Sequence, residues 1–150
     1  HIYPAFTIVD KLLEEDNNKI YYIGNPKNLE YEISKKYKDV TFLGVDVSGM
    51  PRKISLSMPI WAIKFFFAWI KAIGYINKYK PDAIFTTGGY VSAPIVFAAR
   101  FLKKPYMIHD CDAQPGIVSK FVAPMAKTVS VAFVDFSSTI TELSTYKSAT

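Results

Sequence analysis

Short apolar runs alternate along this chain with longer segments of helical periodicity. The apolar runs predict strands over Lys19–Gly24, Val40–Val47, Asp82–Thr87, Pro105–His109 and Thr128–Phe133. The periodic segments predict helices over residues 4–16, 28–37, Pro59–Tyr79, 91–103 and 115–125. Alternating strands and helices are typical of an α/β protein with a parallel sheet and helices on both faces. In such folds ligands bind beyond the carboxyl ends of the strands, so chemistry is expected just after each strand.

Composition agrees with one folded domain of 150 residues. Hydrophobic residues make up 50% and charged residues 21%, which excludes a disordered or collagen-like chain. A single cysteine, Cys111, excludes an internal disulfide framework and fits a reducing compartment. No run of 18 residues is free of charge, so a standard membrane span is not expected. The first residues lack a basic segment ahead of an apolar one, so they are not expected to be a signal peptide.

The net charge of +5 is unevenly distributed. Residues 1–58 hold eight basic and eight acidic side chains, whereas residues 59–150 hold ten and five. The basic half predicts an anionic partner, which could be nucleic acid, a phosphorylated ligand or a membrane surface. The alternative is that the charge serves solubility alone.

The clearest candidate site is the run Thr86-Thr87-Gly88-Gly89-Tyr90-Val91-Ser92-Ala93-Pro94. A strand ends there, two glycines form a turn, and a helix begins, with Ser92 as its expected cap and Pro94 in its first turn. Backbone N–H groups beside the glycines and the positive end of the helix would together hold a phosphate. The alternative is a tight turn with no ligand.

The next strand ends in four polar or reactive residues, His109-Asp110-Cys111-Asp112. In extended chain only alternate side chains share a face, so a metal site is not expected. Two flanking carboxylates disfavour the Cys111 thiolate as a nucleophile. The run favours a hydrogen-bonding surface for a hydroxylated ligand, or a general base. The alternative is a solvated loop in which Asp112 caps the next helix.

The predicted helix Pro59–Tyr79 is apolar on nearly all sides. Lys64, Lys71 and Lys78 recur every seven residues and so form one stripe. The other positions are mainly apolar and include two tryptophans, Trp61 and Trp69. Such a helix is either a core helix with lysines reaching solvent or a helix at a membrane interface.

Several of these runs together resemble the MurG family of peptidoglycan N-acetylglucosaminyltransferases. The runs are His1-Ile2-Tyr3-Pro4-Ala5, Gly88-Gly89-Tyr90-Val91-Ser92-Ala93-Pro94, and His109-Asp110 followed by Pro115-Gly116. Weaker matches are Ile23-Gly24 with Glu30, and Ser48-Gly49 followed by Arg52 and Lys53. The spacing agrees from His1 to about Phe133, and the Gly-Gly-Tyr-Val-Ser-x-Pro run is the specific part.

The resemblance implies the N-terminal, Rossmann-like domain of a GT-B glycosyltransferase. Residues 1–136 would bind the lipid-linked acceptor, lipid I, and 137–150 would link to an absent domain that binds UDP-N-acetylglucosamine. In the family His1 would close a glycine-rich loop, so that loop and a central first strand are expected to be missing. No cofactor, metal or nucleic-acid partner is implied.

The resemblance also assigns residues to roles. His1 and Asp110 are the candidate catalytic bases of an inverting transfer. Residues that match the acceptor and diphosphate site are Gly88, Gly89, Tyr90, Ser92, His109 and Asp112. The family usually has His-Glu-Gln-Asn where this chain has His109-Asp110-Cys111-Asp112. Two alternatives stay open: a related glycolipid glycosyltransferase, and a non-catalytic subunit of a split enzyme that holds the acceptor.

A lipid-linked acceptor implies a peripheral enzyme on the cytoplasmic face of the plasma membrane. The expected membrane patch comprises Ile63, Lys64, Phe66, Trp69 and Lys71. Anionic headgroups would attract the lysines while exposed apolar side chains insert shallowly. The competing expectation is that Ile63, Phe66 and Trp69 pack inward against the sheet.

Overall fold

The computed structural model describes residues 2–15, 17–51, 56–110, 120 and 123–131. The helices are α1 (Ile2–Leu13), α2 (Leu29–Ser34), α3 (Ser57–Tyr79) and α4 (Ser92–Phe101), with a 3-10 turn at Ala123–Met125. The strands are β1 (Ile20–Gly24), β2 (Val40–Gly44), β3 (Ile84–Thr86), β4 (Tyr106–Asp110) and β5 (Thr128–Val131).

These elements follow the order predicted from the sequence, with shifted ends. Helix α1 begins at Ile2, before its predicted start, because Pro4 is tolerated in a first turn where its missing N–H costs nothing. The predicted helix 115–125 falls largely outside the described residues, and its described end is the 3-10 turn. The last strand begins at Thr128 as predicted, and its predicted final residues 132–133, the segment 137–150 and the proposed domain boundary lie outside the described residues.

Every strand pair is parallel, which confirms the predicted α/β class. Strands β1 and β2 pair from Ile20 opposite Val40 to Gly24 opposite Gly44. Strands β3, β4 and β5 form a second sheet in that order. The described strands thus form two parallel sheets, where one sheet was predicted. The carboxyl ends of β1 and β2 lead into loops that converge, since the Val45 N–H donates to the Gly24 carbonyl at 2.8 Å.

Helices cover both faces of the β1–β2 sheet. On one face the ring of Phe6 in α1 stacks on Tyr22 with centroids 4.6 Å apart. The neighbouring side chain, Ile23, faces the other way and packs against Ala68 of α3 together with buried Val45 and Val47. This alternation along β1 is what places α1 and α3 on opposite sides.

Helices α3 and α4 pack on one face of the β3–β4–β5 sheet. The contact surface is built from small side chains, including Ala72 of α3 and Ala98 and Ala99 of α4, which allow close approach of the two helices. Tyr106 and Ile108 of β4 complete this core. On the opposite face of that sheet, Phe85 and Met107 are partly exposed.

Helix α3 is the one described helix whose length and apolar composition would allow it to cross a membrane. Its buried side chains, Ala68, Ala72 and Ile76, nevertheless belong to the protein core. The structure therefore gives α3 one face packed on the fold and a second face turned outward.

Candidate functional site

The glycine turn lies at the carboxyl end of β3 and leads directly into α4. Gly88 and Gly89 both have φ of 79°, the left-handed region that side chains with a Cβ rarely adopt. The Gly88 N–H donates to Thr86 Oγ1 at 3.2 Å, which fixes the first bend. The turn therefore needs glycine for its conformation and brings bare backbone to the carboxyl edge of the sheet.

Ser92 does not cap α4 as predicted. The N-cap residue is Val91, whose side chain makes no capping hydrogen bond, and Ser92 is the first helical residue. The Ser92 hydroxyl instead donates to the Gly89 carbonyl at 2.7 Å. Ser92 thus stabilises the turn. The first amide groups of α4 receive no hydrogen bond from the side chain of the N-cap residue. Those groups carry the partial positive charge of the helix start.

Tyr90 projects from the turn with 42% of its surface exposed. Its Oη accepts a hydrogen bond from Asn28 Nδ2 at 3.3 Å. A Cβ placed on Gly49 would lie 3.8 Å from the Tyr90 ring, so the loop after β2 also borders this side chain. Tyr90 therefore joins the turn after β3 to the loops that follow β1 and β2.

Behind Tyr90 lies a buried polar cluster in the loop after β1. Glu30 Oε1 accepts from the Asn25 N–H at 3.0 Å and from Asn28 Nδ2 at 3.2 Å, while Glu30 Oε2 is buried without a hydrogen-bond partner. Asn25 Nδ2 donates to the Val47 carbonyl at 3.0 Å, which ties this loop to the one after β2. Burial, followed by the charge of Glu30, raises the pKa of Tyr22 to about 12.

The predicted polar run after β4 is described only in part. Asp110 ends β4 and is 1% exposed, and His109 is half-buried beside it. His1, Cys111 and Asp112 lie outside the described residues. No cluster of three or more metal-ligating side chains occurs in the part of the chain that the structure describes.

The outward face of α3 carries the apolar side chains that were expected either to meet a membrane or to pack inward. Ile63, Phe66 and Ile70 are 58%, 53% and 47% exposed, so they do not pack on the sheet. Trp69 is partly buried and contacts the ring of Phe101 in α4 with centroids 5.5 Å apart.

Next to this face, α3 and α4 form an apolar groove of about 420 Å³. The groove is lined by Phe65, Trp69, Phe97, Arg100 and Phe101. The indole N–H of Trp69 is buried there without a hydrogen-bond partner.

Two lysines of the predicted stripe lie near an acidic side chain. Lys27 Nζ pairs with Asp46 Oδ2 at 2.9 Å, and this hydrogen bond lowers the pKa of the Asp46 carboxyl, with smaller contributions from Lys64 and Lys71. Asp46 is therefore ion-paired with Lys27, and Lys64 and Lys71 only add to the lowering of its pKa.

Sequence reasoning missed Asn25, Asn28 and the α4 aromatics Phe97 and Phe101. Asn25 directly follows strand β1, and ligand-binding residues are expected just after strands, so its position could have identified it. The contact of Asn28 with Tyr90 spans 62 residues and gives no local signal. Phe97 and Phe101 are four apart on one helix, a spacing that predicts a shared face.

Comparison with known proteins gives a consistent result. Residues 1–131 match the glycosyltransferase family 28 N-terminal domain. One relative is the UDP-N-acetylglucosamine--N-acetylmuramyl-(pentapeptide) pyrophosphoryl-undecaprenol N-acetylglucosamine transferase of Lactococcus lactis subsp. cremoris (strain MG1363), 37% identical over 134 residues. The protein of the same name from Bacillus pumilus is 34% identical over 134 residues. Each alignment covers 89% of this chain, but only 37% and 36% of the respective relatives.

A solved structure agrees with these relatives. The crystal structure of Acinetobacter baumannii MurG superposes with a TM-score of 0.77 at 26% identity, covering 91% of this chain and 39% of that one. The chain thus spans less than two-fifths of the proteins it matches.

Proposed function

The chain belongs to glycosyltransferase family 28 through its N-terminal domain, and from this we propose that the protein carrying it makes lipid II. In this reaction N-acetylglucosamine passes from UDP-N-acetylglucosamine to lipid I during peptidoglycan synthesis. The observation that carries the proposal is the family match over residues 1–131, with its glycine turn at the carboxyl edge of a parallel sheet. The names of the relatives supply the reaction.

The glycine turn is the proposed contact with the acceptor diphosphate. The positive φ of Gly88 and Gly89 brings backbone close to a ligand, and the start of α4 favours negative charge. Pro94 lacks an N–H, but it lies in the first turn together with Ser92 and Ala93, whose N–H groups remain. Tyr90 and His109 border the same strand ends and would contact the sugar or phosphate oxygens, with Asp112 as the remaining proposed contact.

The proposed transfer inverts the anomeric centre. A muramic acid hydroxyl of the acceptor attacks the anomeric carbon of the donor, a new C–O bond forms, and the bond to UDP breaks. A base must take the hydroxyl proton, and His1 and Asp110 are the candidates. Asp110 is the candidate at the end of a described strand, buried at 1% exposure. In this proposal donor binding belongs to a C-terminal domain.

The outward face of α3 is the proposed contact with an anionic membrane. Phe66, Phe67 and Ile63 are each more than half exposed, which is unusual for large apolar side chains that lie together. Lys64 and Lys71 lie on the same helix and would interact with acidic headgroups. A peripheral position on the cytoplasmic face would bring the glycine turn within reach of a polyprenyl-linked acceptor.

The deciding experiment is a transfer assay with the complete gene product that carries this chain. Purified protein is given radiolabelled UDP-N-acetylglucosamine and a short-prenyl lipid I analogue, and the product is separated by chromatography. We expect label in the lipid product. Transfer to a diacylglycerol acceptor instead would support a glycolipid glycosyltransferase. If the protein binds the acceptor but transfers no sugar until a second polypeptide is added, the result would indicate a split enzyme.

Asp110 is tested in the same assay. Asp110→Asn keeps the size of the side chain but removes the basic carboxylate, so turnover should fall by about 10²-fold or more if Asp110 is the base. The acceptor KM should change little. Unchanged turnover in a folded Asp110→Asn protein would assign the proton transfer to another group, with His1 as the remaining candidate.

A further inference from the structure

Glu30, Asn28 and Tyr90 form a chain of hydrogen bonds from a buried carboxylate to the glycine turn. Glu30 is 4% exposed, and its Oε1 accepts from both the Asn25 N–H and the Asn28 amide. The same Asn28 amide nitrogen reaches Tyr90 Oη at 3.3 Å. One buried carboxylate is therefore connected, through one side chain, to the exposed phenol of the candidate site.

The carboxylate determines which way the Asn28 amide faces. An ionised carboxylate only accepts hydrogen bonds, so the group next to Glu30 Oε1 must be the NH₂ and not the carbonyl oxygen. The amide nitrogen has two hydrogens, and with one directed to Glu30 the other is available to Tyr90 Oη. Asn28 is also the N-cap residue of α2, but its side chain makes no capping hydrogen bond. Its amide is therefore free to bridge Glu30 and Tyr90.

The direction of these hydrogen bonds determines what the Tyr90 hydroxyl can do. A Tyr90 Oη that accepts from Asn28 keeps its own proton for another acceptor. The side chain stands at the glycine turn, 42% exposed, between that turn and the loop at Gly49. Phosphate and sugar oxygens are the acceptors that a ligand would bring there.

We propose that Glu30 and Asn28 are positioning residues that orient the Tyr90 hydroxyl as a hydrogen-bond donor to an oxygen of the acceptor ligand. This inference rests on the proposed function, because it takes the glycine turn as the place where the acceptor diphosphate or sugar binds. Glu30 fixes the Asn28 amide, the amide fixes the phenol, and only the phenol touches the ligand.

The test is a double-mutant cycle in the complete gene product. Tyr90→Phe removes the donor and should lower kcat/KM for the lipid acceptor analogue about tenfold, as loss of a bond to a charged oxygen does. Asn28→Ala leaves the phenol but not its orientation, and should cost about three- to fivefold. Because both substitutions act through the same hydrogen bond from the Tyr90 hydroxyl to the ligand, the double variant should be no slower than Tyr90→Phe alone. The KM for UDP-N-acetylglucosamine should stay unchanged.

Asn28→Asp tests the polarity itself. Aspartate caps helices well, so α2 is retained, but its carboxylate would accept the Tyr90 proton and withdraw it from the ligand. Asn28→Asp should therefore be slower than Asn28→Ala when Tyr90 is present. In the Tyr90→Phe background the difference between the two substitutions at residue 28 should shrink to the cost of placing a second carboxylate beside Glu30. If the difference is as large there as it is with Tyr90 present, it reflects the added charge alone, and the polarity assignment is overturned.

Asn18→Ala is the matched control, since Asn18 is an exposed asparagine whose amide donates a hydrogen bond to the Leu12 carbonyl at 2.9 Å, away from Tyr90. It should leave both KM values unchanged. Additive effects of Asn28→Ala and Tyr90→Phe, or equal changes in both KM values, would overturn the positioning role while the transferase assignment stands. A wild-type protein that neither binds nor glycosylates the acceptor analogue would overturn both. All these variants keep Glu30, because truncating this buried side chain would destabilise the fold.

Discussion

At the scale of single residues, Gly24 is a position where the fold leaves no room for a side chain. A Cβ there would lie 2.7 Å from Glu30 Cγ and 3.1 Å from the Phe42 ring. Glu30 cannot yield easily, because two hydrogen bonds fix its carboxylate in a buried place. The end of β1 and the polar cluster behind Tyr90 are therefore packed against each other.

Gly24→Ala should destabilise the fold by about 1–3 kcal/mol through overpacking. Gly74→Ala is the matched comparison, since Gly74 lies exposed within α3 and a Cβ there meets nothing within 4 Å. That substitution should stabilise the protein by about 0.5–1 kcal/mol, the difference in helix propensity. Urea unfolding monitored by circular dichroism measures both free energies. Equal effects of the two substitutions would contradict the packing described at Gly24.

The raised pKa of Tyr22 leads us to expect a loss of stability at alkaline pH. Its folded pKa is raised to about 12 by burial and then by Glu30, above the value near 10 of an unfolded chain. The folded state therefore holds the phenol proton more tightly. This contribution is complete below pH 10 and is lost as the pH rises towards 12.

We expect the free energy of unfolding of the wild-type protein to fall more steeply between pH 10 and 12 than that of Tyr22→Phe. The comparison cancels the lysines, which titrate in both proteins. Denaturant titrations at several pH values provide the measurement. Parallel curves for the two proteins would show that Tyr22 titrates normally.

At the residue scale, sequence reasoning located the candidate site but not its hydrogen bonds. Two consecutive glycines between a strand and a helix predict a turn, and both do have positive φ. The expected cap at Ser92 was wrong, because its hydroxyl found the nearby Gly89 carbonyl instead. The contact between Asn28 and Tyr90 joins the loop after β1 to the turn after β3, which belong to different sheets, and local pattern does not encode such a contact.

At the scale of elements, α3 shows how periodicity identifies a helix without identifying its buried face. Its apolar residues cover most of the helix surface, so the pattern does not say which side packs inward. The fold settles this with small residues, since Ala68 and Ala72 allow α3 to approach the core closely. The large side chains Ile63, Phe66 and Phe67 are left outside.

The outward face of α3 should bind vesicles that contain phosphatidylglycerol. Phe66→Ser/Phe67→Ser should weaken binding to all vesicles by removing apolar insertion, whereas Lys64→Glu/Lys71→Glu should weaken binding only to anionic vesicles. Flotation at varied lipid composition measures each case.

The control for charge is Lys36→Glu/Lys38→Glu, two exposed lysines outside α3. This pair should weaken anionic binding less than the α3 pair does. If all four lysines act alike, attraction arises from net charge and not from this face. If Phe66→Ser/Phe67→Ser floats as the wild type does, the aromatic side chains do not insert.

At the scale of the whole molecule, parallel strands bring residues that are far apart in sequence to one edge. The loops after β1 and β2 and the glycine turn after β3 all meet around Tyr90. The alternation of elements predicted the parallel class, since parallel strands require helical crossovers. It did not predict the separation into a β1–β2 sheet and a β3–β4–β5 sheet, because strand order is set by contacts between distant segments.

The chain spans only part of the length of the relatives that it matches, and this bears on what it can do alone. It covers 37% of the Lactococcus lactis relative, and the family resemblance implies donor binding in a C-terminal domain. We therefore expect the isolated 150-residue chain to transfer no N-acetylglucosamine from UDP-N-acetylglucosamine, while the complete gene product does. Circular dichroism and a cooperative unfolding transition must first show that the isolated chain is folded. Sugar transfer by the folded isolated chain would contradict the proposal that a C-terminal domain binds the donor, and would locate donor binding within residues 1–150.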